Sequence, residues 1–189
     1  QETDIVGIST PVTKWNHQIT RAEEIPEVIA KAFYIAKSGR PGPVLIDITK
    51  DAQFETFDFT YKKCEGVRSY KPVPKVDTSI LKSAAQAIND AKNPMIVWGQ
   101  GVILGEAEDE FKAFVEKSGI PAAWTIMGVS AIPTSHPLNV GMVGMHGNYA
   151  PNKLTNECDV LLAIGMRFDD RVTGKLSDYA TQAKVIHFE

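Results

Sequence analysis

The chain has 189 residues, of which 43% are hydrophobic and 23% are charged, which is ordinary for a globular protein with a sizeable core. The formal net charge of −3 at pH 7 argues against a nucleic-acid-binding surface, and no run of Lys and Arg contradicts that. No apolar stretch approaches the roughly 20 residues that a membrane span needs, and no signal-peptide pattern is present. Composition therefore disfavours nucleic-acid-binding and membrane proteins.

The two cysteines, Cys64 and Cys158, form neither a CxxC motif nor a cluster with metal-ligand spacing. Free thiols in a reducing compartment are the simplest interpretation, and this favours the cytoplasm. The sequence therefore predicts no metal site in this chain. Because the chain begins without Met and ends on a strand-like stretch, we expect it to be an internal piece of a longer polypeptide.

The first fifty residues are expected to hold a β-α-β unit. Alternating, β-branched residues predict a strand over 4–9, and a loop is expected over 11–18. Thr20, with Glu23 three residues later, matches the capping-box pattern and predicts the start of a helix. Apolar residues at 3.6-residue spacing predict its buried stripe: Ile25, Val28, Ile29, Ala32, Phe33 and Ala36. A buried strand over 44–48 follows. Two strands form no stable domain alone, so a larger sheet is expected.

Between residues 51 and 76 the periodic pattern dissolves. Aromatic residues alternate with charged ones, and prolines at positions 72 and 74 disfavour both helix and strand. We therefore expect an extended linker that packs across a domain surface through its aromatic side chains.

A second α/β series is predicted over 77–189, where Asp77 is the expected N-cap of the first helix. Buried strands are expected over 95–98, 121–125, 159–164 and 184–188. Helices are expected over 78–92, 106–118, 150–156 and 177–182. Gly119 is the expected C-cap of the second of these helices. Alternating helices and strands predict a parallel sheet with right-handed crossovers.

Charged residues crowd the segment that follows the predicted strand 159–164. The residues directly after it include Gly165, Met166, Arg167, Asp169, Asp170 and Arg171. Ligands of open α/β sheets bind outside the carboxyl ends of the strands. Two guanidinium groups suit a diphosphate, since each offers a planar fork of donors to anionic oxygens. The alternative is a solvated salt-bridge cluster on the surface, and spacing alone does not separate the two.

Glycines mark other segments at the predicted strand ends. Gly99, Gln100 and Gly101 follow the first strand, but an extra residue before Gly105 breaks the GxGxxG dinucleotide fingerprint. A tight strand-to-helix turn explains these glycines as well. The other segments are Thr125-Ile126-Met127 and Val143-Gly144-Met145-His146-Gly147. Core-filling methionines and a packed His146 are the alternative here, although the flanking glycines favour a backbone close to something flat.

Six segments carry a family resemblance. They are QETDIVGIST, PVTKWN, SGRPGPVLIDITKD, TIMG, GMVGMHGN and GMRFDDRVTGK, in this order. The chain closely resembles the catalytic subunits of the acetolactate synthase (acetohydroxyacid synthase) family, which use thiamine diphosphate and belong to the pyruvate-oxidase-like group. So many matched segments in one order are far more specific than any single motif.

The resemblance implies a domain organisation and an activity. Residues 1–50 would be the C-terminal part of a pyrimidine-binding domain and 51–76 an interdomain linker. Residues 77–189 would be a Rossmann-like middle domain that binds FAD and is truncated at its C-terminal side. The family condenses two pyruvates to 2-acetolactate, or pyruvate with 2-oxobutyrate to 2-aceto-2-hydroxybutyrate, in branched-chain amino-acid biosynthesis.

The resemblance also implies site residues. Those expected to contact FAD, which is largely structural in the family, are Arg40, Gly99, Gln100, Gly101, Thr125, Ile126, Met127, Val143, Gly144, Met145, His146, Gly147, Gly165, Met166, Arg167, Asp169, Arg171, Val172 and Glu189. Arg40 would reach FAD from the neighbouring domain. Gln100 and Glu189 depart from the family, which often has glycine and usually has Asp at these positions. The residues expected to line the substrate channel are Gln1, Lys14, Lys50, Asp170 and Arg171.

No catalytic residue is expected within this chain. No GDG motif with a downstream Asn is present, so the site for thiamine diphosphate and Mg²⁺ is expected outside it, and the piece alone is not expected to catalyse. The resemblance implies 2-oxo acid substrates, a homo-oligomer (dimer or tetramer) and a regulatory small subunit as a further partner. Two alternatives stay open: a non-catalytic module that binds FAD or an adenine nucleotide, and another thiamine-dependent carboligase.

Overall fold

The computed structural model of the protein describes residues 3–189, and the chain divides into two compact units with the boundary between Val76 and Asp77. Each unit has its own parallel sheet. Among the described residues, no helix is long and apolar enough to cross a bilayer. Gln1, which the resemblance places in the substrate channel, lies outside the described residues.

The first unit is a small β-α-β arrangement. Its elements are α1 (Ile5–Ser9), β1 (Trp15–Ile19), α2 (Ile25–Lys37), β2 (Val44–Ile48) and α3 (Lys50–Phe54), with 3₁₀ turns at Thr10–Val12 and Ala22–Glu24. β1 and β2 pair in parallel, with Trp15 opposite Val44. The buried residues of its core cluster are Ile19, Val28 and Ala52. The predicted strand over 44–48 is confirmed.

The prediction of a strand over 4–9 is wrong, because that stretch forms α1. The Asp4 carboxylate caps this helix by accepting the N–H of Gly7 at 2.8 Å. At the other end, the Thr10 hydroxyl donates to the carbonyl of Val6 at 2.8 Å. Bonds of this kind satisfy backbone groups at helix ends and outweigh the weak helix preference of branched residues. The strand forms instead over 15–19, mostly within the predicted loop.

The main helix of the unit, α2, begins at Ile25 and not near Thr20 as the capping-box pattern predicts. The Thr20 hydroxyl reaches the Glu24 carboxylate at 3.4 Å instead of a backbone N–H. The buried residues of α2 are Val28, Ala32 and Ile35. Phe33, which the periodicity places in the buried stripe, is 66% exposed. A two-stranded sheet covers only a narrow face of a helix, so the buried stripe is narrower than the apolar pattern.

Residues 51–76 contain more local structure than the extended linker that the sequence predicts. Lys50–Phe54 forms α3, whose Ala52 is 2% exposed and packs in the core of the unit. Further along, the hydroxyl of Tyr70 donates to the carbonyl of Ser38 at 2.8 Å. The segment is therefore an integral part of the first unit.

The second unit is a five-stranded parallel sheet with flanking helices, which confirms the predicted α/β class. Its strands are β3 (Pro94–Trp98), β4 (Ala122–Trp124), β5 (Asn139–Met142), β6 (Val160–Ile164) and β7 (Lys184–Phe188). Its helices are α4 (Thr78–Asp90), α5 (Gln100–Leu104), α6 (Glu108–Ser118), α7 (Tyr149–Glu157) and α8 (Asp170–Thr173), with 3₁₀ turns at Ile126–Gly128 and Leu176–Asp178. The strand order across the sheet is β5-β4-β3-β6-β7.

The two central strands, β3 and β6, are buried on both faces of the sheet. Successive residues point to opposite faces. One face carries Ile96, Trp98 and Leu162, which pack with Phe111 and Val115 of α6. The buried residues of the opposite face are Met95, Val97, Leu161, Ala163, Val143 and Met166. Continuous apolar runs of this kind are typical of strands in parallel sheets, as the sequence indicates.

The sequence predicts the other elements of this unit less well. It misses β5, a strand that contains Gly141 at φ +108° and shifts register against β4. Such a strand lacks the branched run that marks strands in sequence. It also misses α5, and the helix predicted over 106–118 begins at Glu108. The helix predicted over 177–182 is only the 3₁₀ turn at Leu176–Asp178. Gly119 does end α6, with φ +67°.

Asp159 ties the start of β6 to the turn before β3. Its carboxylate accepts the N–H groups of Lys92 at 2.6 Å and Asn93 at 3.0 Å. These bonds, the one from Lys92 first, lower the pKa of Asp159 from its ordinary value. A charged carboxylate therefore serves as the acceptor for two backbone donors that lie 66 and 67 residues away in sequence.

We expect Asp159→Ala to lower the melting temperature of the protein at pH 7, because two backbone donors lose their acceptor. Since folding lowers this pKa, the stabilisation is present above the unfolded pKa of about 3.9 and is lost as pH falls through the folded value. The difference in melting temperature between variant and wild type should therefore shrink below pH ~4. Circular dichroism melts at pH 7 and at pH 3 measure both quantities, and equal melting temperatures at pH 7 would contradict the assignment.

Candidate functional site

The strands of the second unit all end at one edge of the sheet because they run parallel. The chain first builds β3, β4 and β5 outward in one direction and then places β6 and β7 on the other side of β3. The direction of winding therefore switches between the ends of β3 and β6. Open α/β sheets bind ligands at such a switch point, outside the carboxyl ends of the strands.

Two glycine turns approach each other closely at this switch point. The N–H of Gly101 donates to the carbonyl of Gly165 at 2.7 Å. A Cβ on Gly101 would lie 2.5 Å from the Cα of Gly165, and one on Gly99 would lie 2.6 Å from the Cβ of Met166. Gly165 itself has φ +59°, and its Cβ would lie 2.5 Å from the N of Val102. Packing between the two turns thus accounts for these glycines, as the steric alternative predicts.

The turn after β4 presents apolar side chains to solvent. It is held by the N–H of Thr125, which donates to the carbonyl of Trp98 at 2.9 Å, and by the indole N–H of Trp98, which donates to the carbonyl of Gly128 at 2.7 Å. Ile126 is 66% exposed and Met127 is 57% exposed. Core filling is therefore the wrong interpretation for Met127.

The loop after β5 packs against the segment that carries the arginines. Gly144 has φ +102°, and a Cβ there would lie 2.7 Å from the carbonyl oxygen of Arg171. The same carbonyl accepts the N–H of Met145 at 2.8 Å. The side chain of Met145 is 68% exposed, and His146 is exposed beside it. Neither side chain fills the core.

The arginine segment is organised around Asp169. Its carboxylate caps α8 by accepting the N–H of Arg171 at 3.0 Å, and it pairs with the guanidinium of Arg167 at 2.8 Å. These contacts, the Arg171 N–H first and then the Asp170 side chain and the two guanidiniums, lower the pKa of Asp169. The Arg167 side chain is nevertheless 65% exposed. The salt-bridge interpretation thus describes Asp169, while much of Arg167 stays accessible to a ligand.

His187 also supports the arginine segment, and sequence reasoning missed it. Its Nε2 lies 2.7 Å from the carbonyl oxygen of Met166, which fits an N–H donor at that atom. The ring packs edge-on against Phe168 at 5.3 Å, and Phe168 in turn contacts Tyr179 at 6.2 Å. Burial raises the pKa of Tyr179 to about 12, so this contact involves a neutral phenol. Nothing in the local sequence signals these contacts, because β7 brings His187 to the loop from 21 residues away.

Asn152 is a second residue that sequence reasoning missed. Its side chain contacts both backbone groups of Gly144, as donor and as acceptor. A signal for it exists in the sequence, because Asn148, Asn152 and Asn156 recur at four-residue intervals and so share one side of α7.

The structure brings most of the predicted FAD residues together at one edge of the second unit. The segments that meet there are 99–101, 125–128, 143–147 and 165–172, and Glu189 is exposed directly after β7. Arg40, also predicted to contact FAD, belongs to the first unit instead and is exposed in the turn before β2. The predicted channel residues Lys14 and Lys50 belong to that unit too, where Lys50 is exposed at the start of α3 and Lys14 is half-buried.

Lys14 has a role within the first unit. Its ammonium donates to the carbonyls of Ile35 and Ser38 at 2.5 and 2.7 Å and contacts the Tyr70 hydroxyl at 3.1 Å. A cation beside the last carbonyls of α2 stabilises that helix end. The ammonium is thus engaged by oxygens of its own unit, and a place in a substrate channel stays a prediction.

Two cavities have linings that include none of the residues of the strand-end edge. One, of about 550 Å³, is lined by the exposed side of α2 and by residues 59–64 of the first unit. The other, of about 460 Å³, lies in the second unit at the amino ends of β3 and β6, beside Cys158. Burial raises the pKa of the Cys158 thiol to about 11, so this thiol is unreactive at neutral pH. Neither cavity gathers charged groups as the strand-end edge does.

We expect Gly165→Ala to destabilise the protein more than Gly119→Ala does. Both glycines have positive φ, +59° and +67°, which costs alanine about 1–2 kcal/mol. Only at Gly165 would the new Cβ meet backbone, whereas nothing lies within 4 Å at Gly119, so the extra cost should be roughly 1–3 kcal/mol. Urea titration gives the free energy of unfolding of both variants. Equal losses of stability would show that the turns of Gly101 and Gly165 can move apart to admit a methyl group.

Comparison with known proteins supplies a family. Residues 81–189 match the family described as the central domain of thiamine pyrophosphate enzymes. The acetolactate synthase large subunit of Corynebacterium glutamicum is 44% identical over 187 residues, which is 99% of this chain and 30% of that protein. A probable acetolactate synthase large subunit of Methanocaldococcus jannaschii is 44% identical over 192 residues, covering all of this chain and 32% of that protein. The chain thus spans about a third of the length of these relatives.

Proposed function

The chain belongs to the thiamine pyrophosphate enzyme family, and we propose that it forms part of the catalytic subunit of an acetolactate synthase. The complete enzyme would condense two pyruvates to 2-acetolactate, or pyruvate with 2-oxobutyrate, in branched-chain amino-acid biosynthesis. The observation that carries this proposal is the extent of the similarity. The family match covers residues 81–189, whereas the similarity to acetolactate synthases covers 99% of the chain.

We propose that the strand-end edge of the second unit holds FAD, and its residues fit that molecule. Arg167 is an exposed donor for a diphosphate. The same edge exposes three apolar side chains, those of Ile126, Met127 and Met145. They can make van der Waals contacts with the flat, apolar part of the flavin ring system. The alternative of a bare salt-bridge cluster explains the charges but leaves these apolar side chains without a partner.

FAD would have a structural role there. Thiamine diphosphate, held with Mg²⁺ at a site outside these residues, would supply the electron sink for the carboligation. The contribution of this chain would be to orient and to admit the substrate. Arg171 and Asp170 lie exposed on the single turn of α8, and we assign them to the channel for 2-oxo acids. A guanidinium binds a carboxylate through two parallel bonds, and a neighbouring carboxylate can hold it in orientation.

The partners follow the same proposal. We propose a homo-oligomer in the cytoplasm that acts on small 2-oxo acids. Because the relative from Corynebacterium glutamicum is named a large subunit, we also propose a smaller regulatory subunit for this enzyme. Co-purification of the complete tagged protein from its own cells, followed by light scattering, tests both statements.

The first test is the spectrum and the product of the complete protein. We expect flavin absorbance in the purified protein and 2-acetolactate formation from pyruvate when thiamine diphosphate and Mg²⁺ are present. Flavin without product would favour a non-catalytic flavin module. A product other than 2-acetolactate or 2-aceto-2-hydroxybutyrate would favour another thiamine-dependent carboligase.

We expect Arg167→Ala to weaken FAD binding roughly 10- to 150-fold, since a bond to a charged group contributes roughly 1.5–3 kcal/mol. The matched control is Arg21→Ala. The side chain of Arg21 is also 65% exposed and pairs with the nearby Glu23, but it belongs to the first unit and is not among the proposed contacts. Flavin titration should show no change for Arg21→Ala. Equal FAD affinity in the two variants would contradict the assignment of Arg167.

We expect Arg171→Lys to raise KM for pyruvate by about fivefold or more while FAD content stays full. Lysine keeps the charge but loses the planar fork that binds a carboxylate through two bonds. Steady-state kinetics at saturating FAD separate the roles. If flavin is instead lost in step with activity, Arg171 only braces the FAD segment, and the channel role is wrong.

A further inference from the structure

Asn152 holds Gly144 through both of its backbone groups. The Asn152 Oδ1 accepts the N–H of Gly144 at 2.8 Å, and the Asn152 Nδ2 donates to the carbonyl of Gly144 at 2.9 Å. One half-buried carboxamide thus replaces the pairing that a neighbouring strand would give to this residue. A loop beyond the end of a strand has no other regular source of such bonds.

Gly144 lies where two loops of the strand-end edge touch. At φ +102° its position lets the backbone approach Arg171, since a Cβ would lie 2.7 Å from the Arg171 carbonyl oxygen. The next N–H, that of Met145, donates to this same oxygen at 2.8 Å. A continuous series of bonds therefore runs from Asn152 through Gly144 and Met145 to the backbone of α8.

We propose that Asn152 is a positioning residue for the flavin site. By fixing Gly144, it holds the β5 loop against α8 and so sets the distance between the exposed Met145 and the guanidinium-bearing segment. Asn152 contacts the loop backbone from α7, so it acts through Gly144. This inference rests on the proposed binding of FAD at the strand-end edge.

The competing interpretation is that Asn152 only attaches α7 to the sheet. Asn156 provides a matched control on the next turn of the same helix. Its Oδ1 accepts the N–H of Ala180 at 2.9 Å, and its Nδ2 donates to the carbonyl of Asn152 at 3.1 Å. It makes the same number of bonds with the same chemical groups, but these bonds reach neither the β5 loop nor α8.

The test uses the complete protein, stripped of flavin and titrated with FAD. We expect Asn152→Ala to raise the Kd for FAD at least tenfold and Asn156→Ala to raise it less than twofold, although both lose two bonds. Asn152→Asp keeps the acceptor for the Gly144 N–H but sets a carboxylate oxygen against the Gly144 carbonyl, so its Kd should rise at least as much as that of Asn152→Ala. Hydrogen exchange of the flavin-free protein should accelerate over 143–147 in Asn152→Ala and stay unchanged there in Asn156→Ala.

The outcomes distinguish the positioning role of Asn152 from the proposed binding of FAD. If Arg167→Ala weakens FAD binding and Asn152→Ala does not, the flavin site stands and the positioning role is wrong. If the two asparagine variants lose FAD affinity equally, in proportion to their loss of melting temperature, Asn152 is merely structural. If the wild-type protein binds no FAD, the proposed site fails and the positioning role fails with it, whatever exchange over 143–147 shows.

Discussion

The close approach of two glycine turns determines the shape of the candidate site. Gly101 and Gly165 lie in the turns that follow the neighbouring strands β3 and β6, and their backbones meet at 2.7 Å between N and O. A methyl group on either would overlap backbone atoms of the other turn. Because β6 ends against this contact, its following segment must leave the sheet directly over the switch point. The arginines therefore lie at the strand-end edge as a consequence of backbone packing, before any ligand is considered.

The remaining loops are held by side chains that lie on other elements of the second unit. Trp98 fixes the turn after β4, Asn152 fixes the loop after β5, and His187 contacts the segment after β6. Each side chain bonds to a backbone carbonyl of its loop. With the backbone satisfied in this way, the loops can expose Ile126, Met127 and Met145 without collapsing onto them. Supporting contacts of this kind are what a preorganised binding site requires.

The sequence predicts the parallel sheet well, because β3, β6 and β7 are apolar or branched runs between helical patterns. It predicts secondary structure less well wherever a single residue overrides the helix or strand preference of its neighbours. The Asp4 cap turns a β-branched stretch into α1. A glycine in β5 hides a strand. A periodicity argument detects neither case, because one capping side chain or one glycine changes little in the pattern of apolar residues around it.

In the candidate site, too, some features are predictable from the sequence and others are not. Strand ends are readable from sequence, so the segments of the edge could be placed together in advance. The supporting contacts of Asn152 and His187 could not be predicted in advance. They join residues 8 and 21 positions apart, and their acceptors are backbone oxygens, which every residue type has. The spacing of Asn148, Asn152 and Asn156 was the one available hint. It predicts a shared helix side but not what that side faces.

The balance of charge at the edge explains why these supporting contacts matter. Residues 167–171 contain two arginines and two aspartates, so the segment has no net charge to attract an anion from a distance. Asp169 is ionised at neutral pH, as aspartates ordinarily are, its contacts lower its pKa further, and it pairs with Arg167 at 2.8 Å. Binding of a diphosphate would then depend on the direction of the guanidinium donors and not on a general positive field. Direction is a property of the loop backbone, and the residues that hold the backbone therefore control what the arginines can bind.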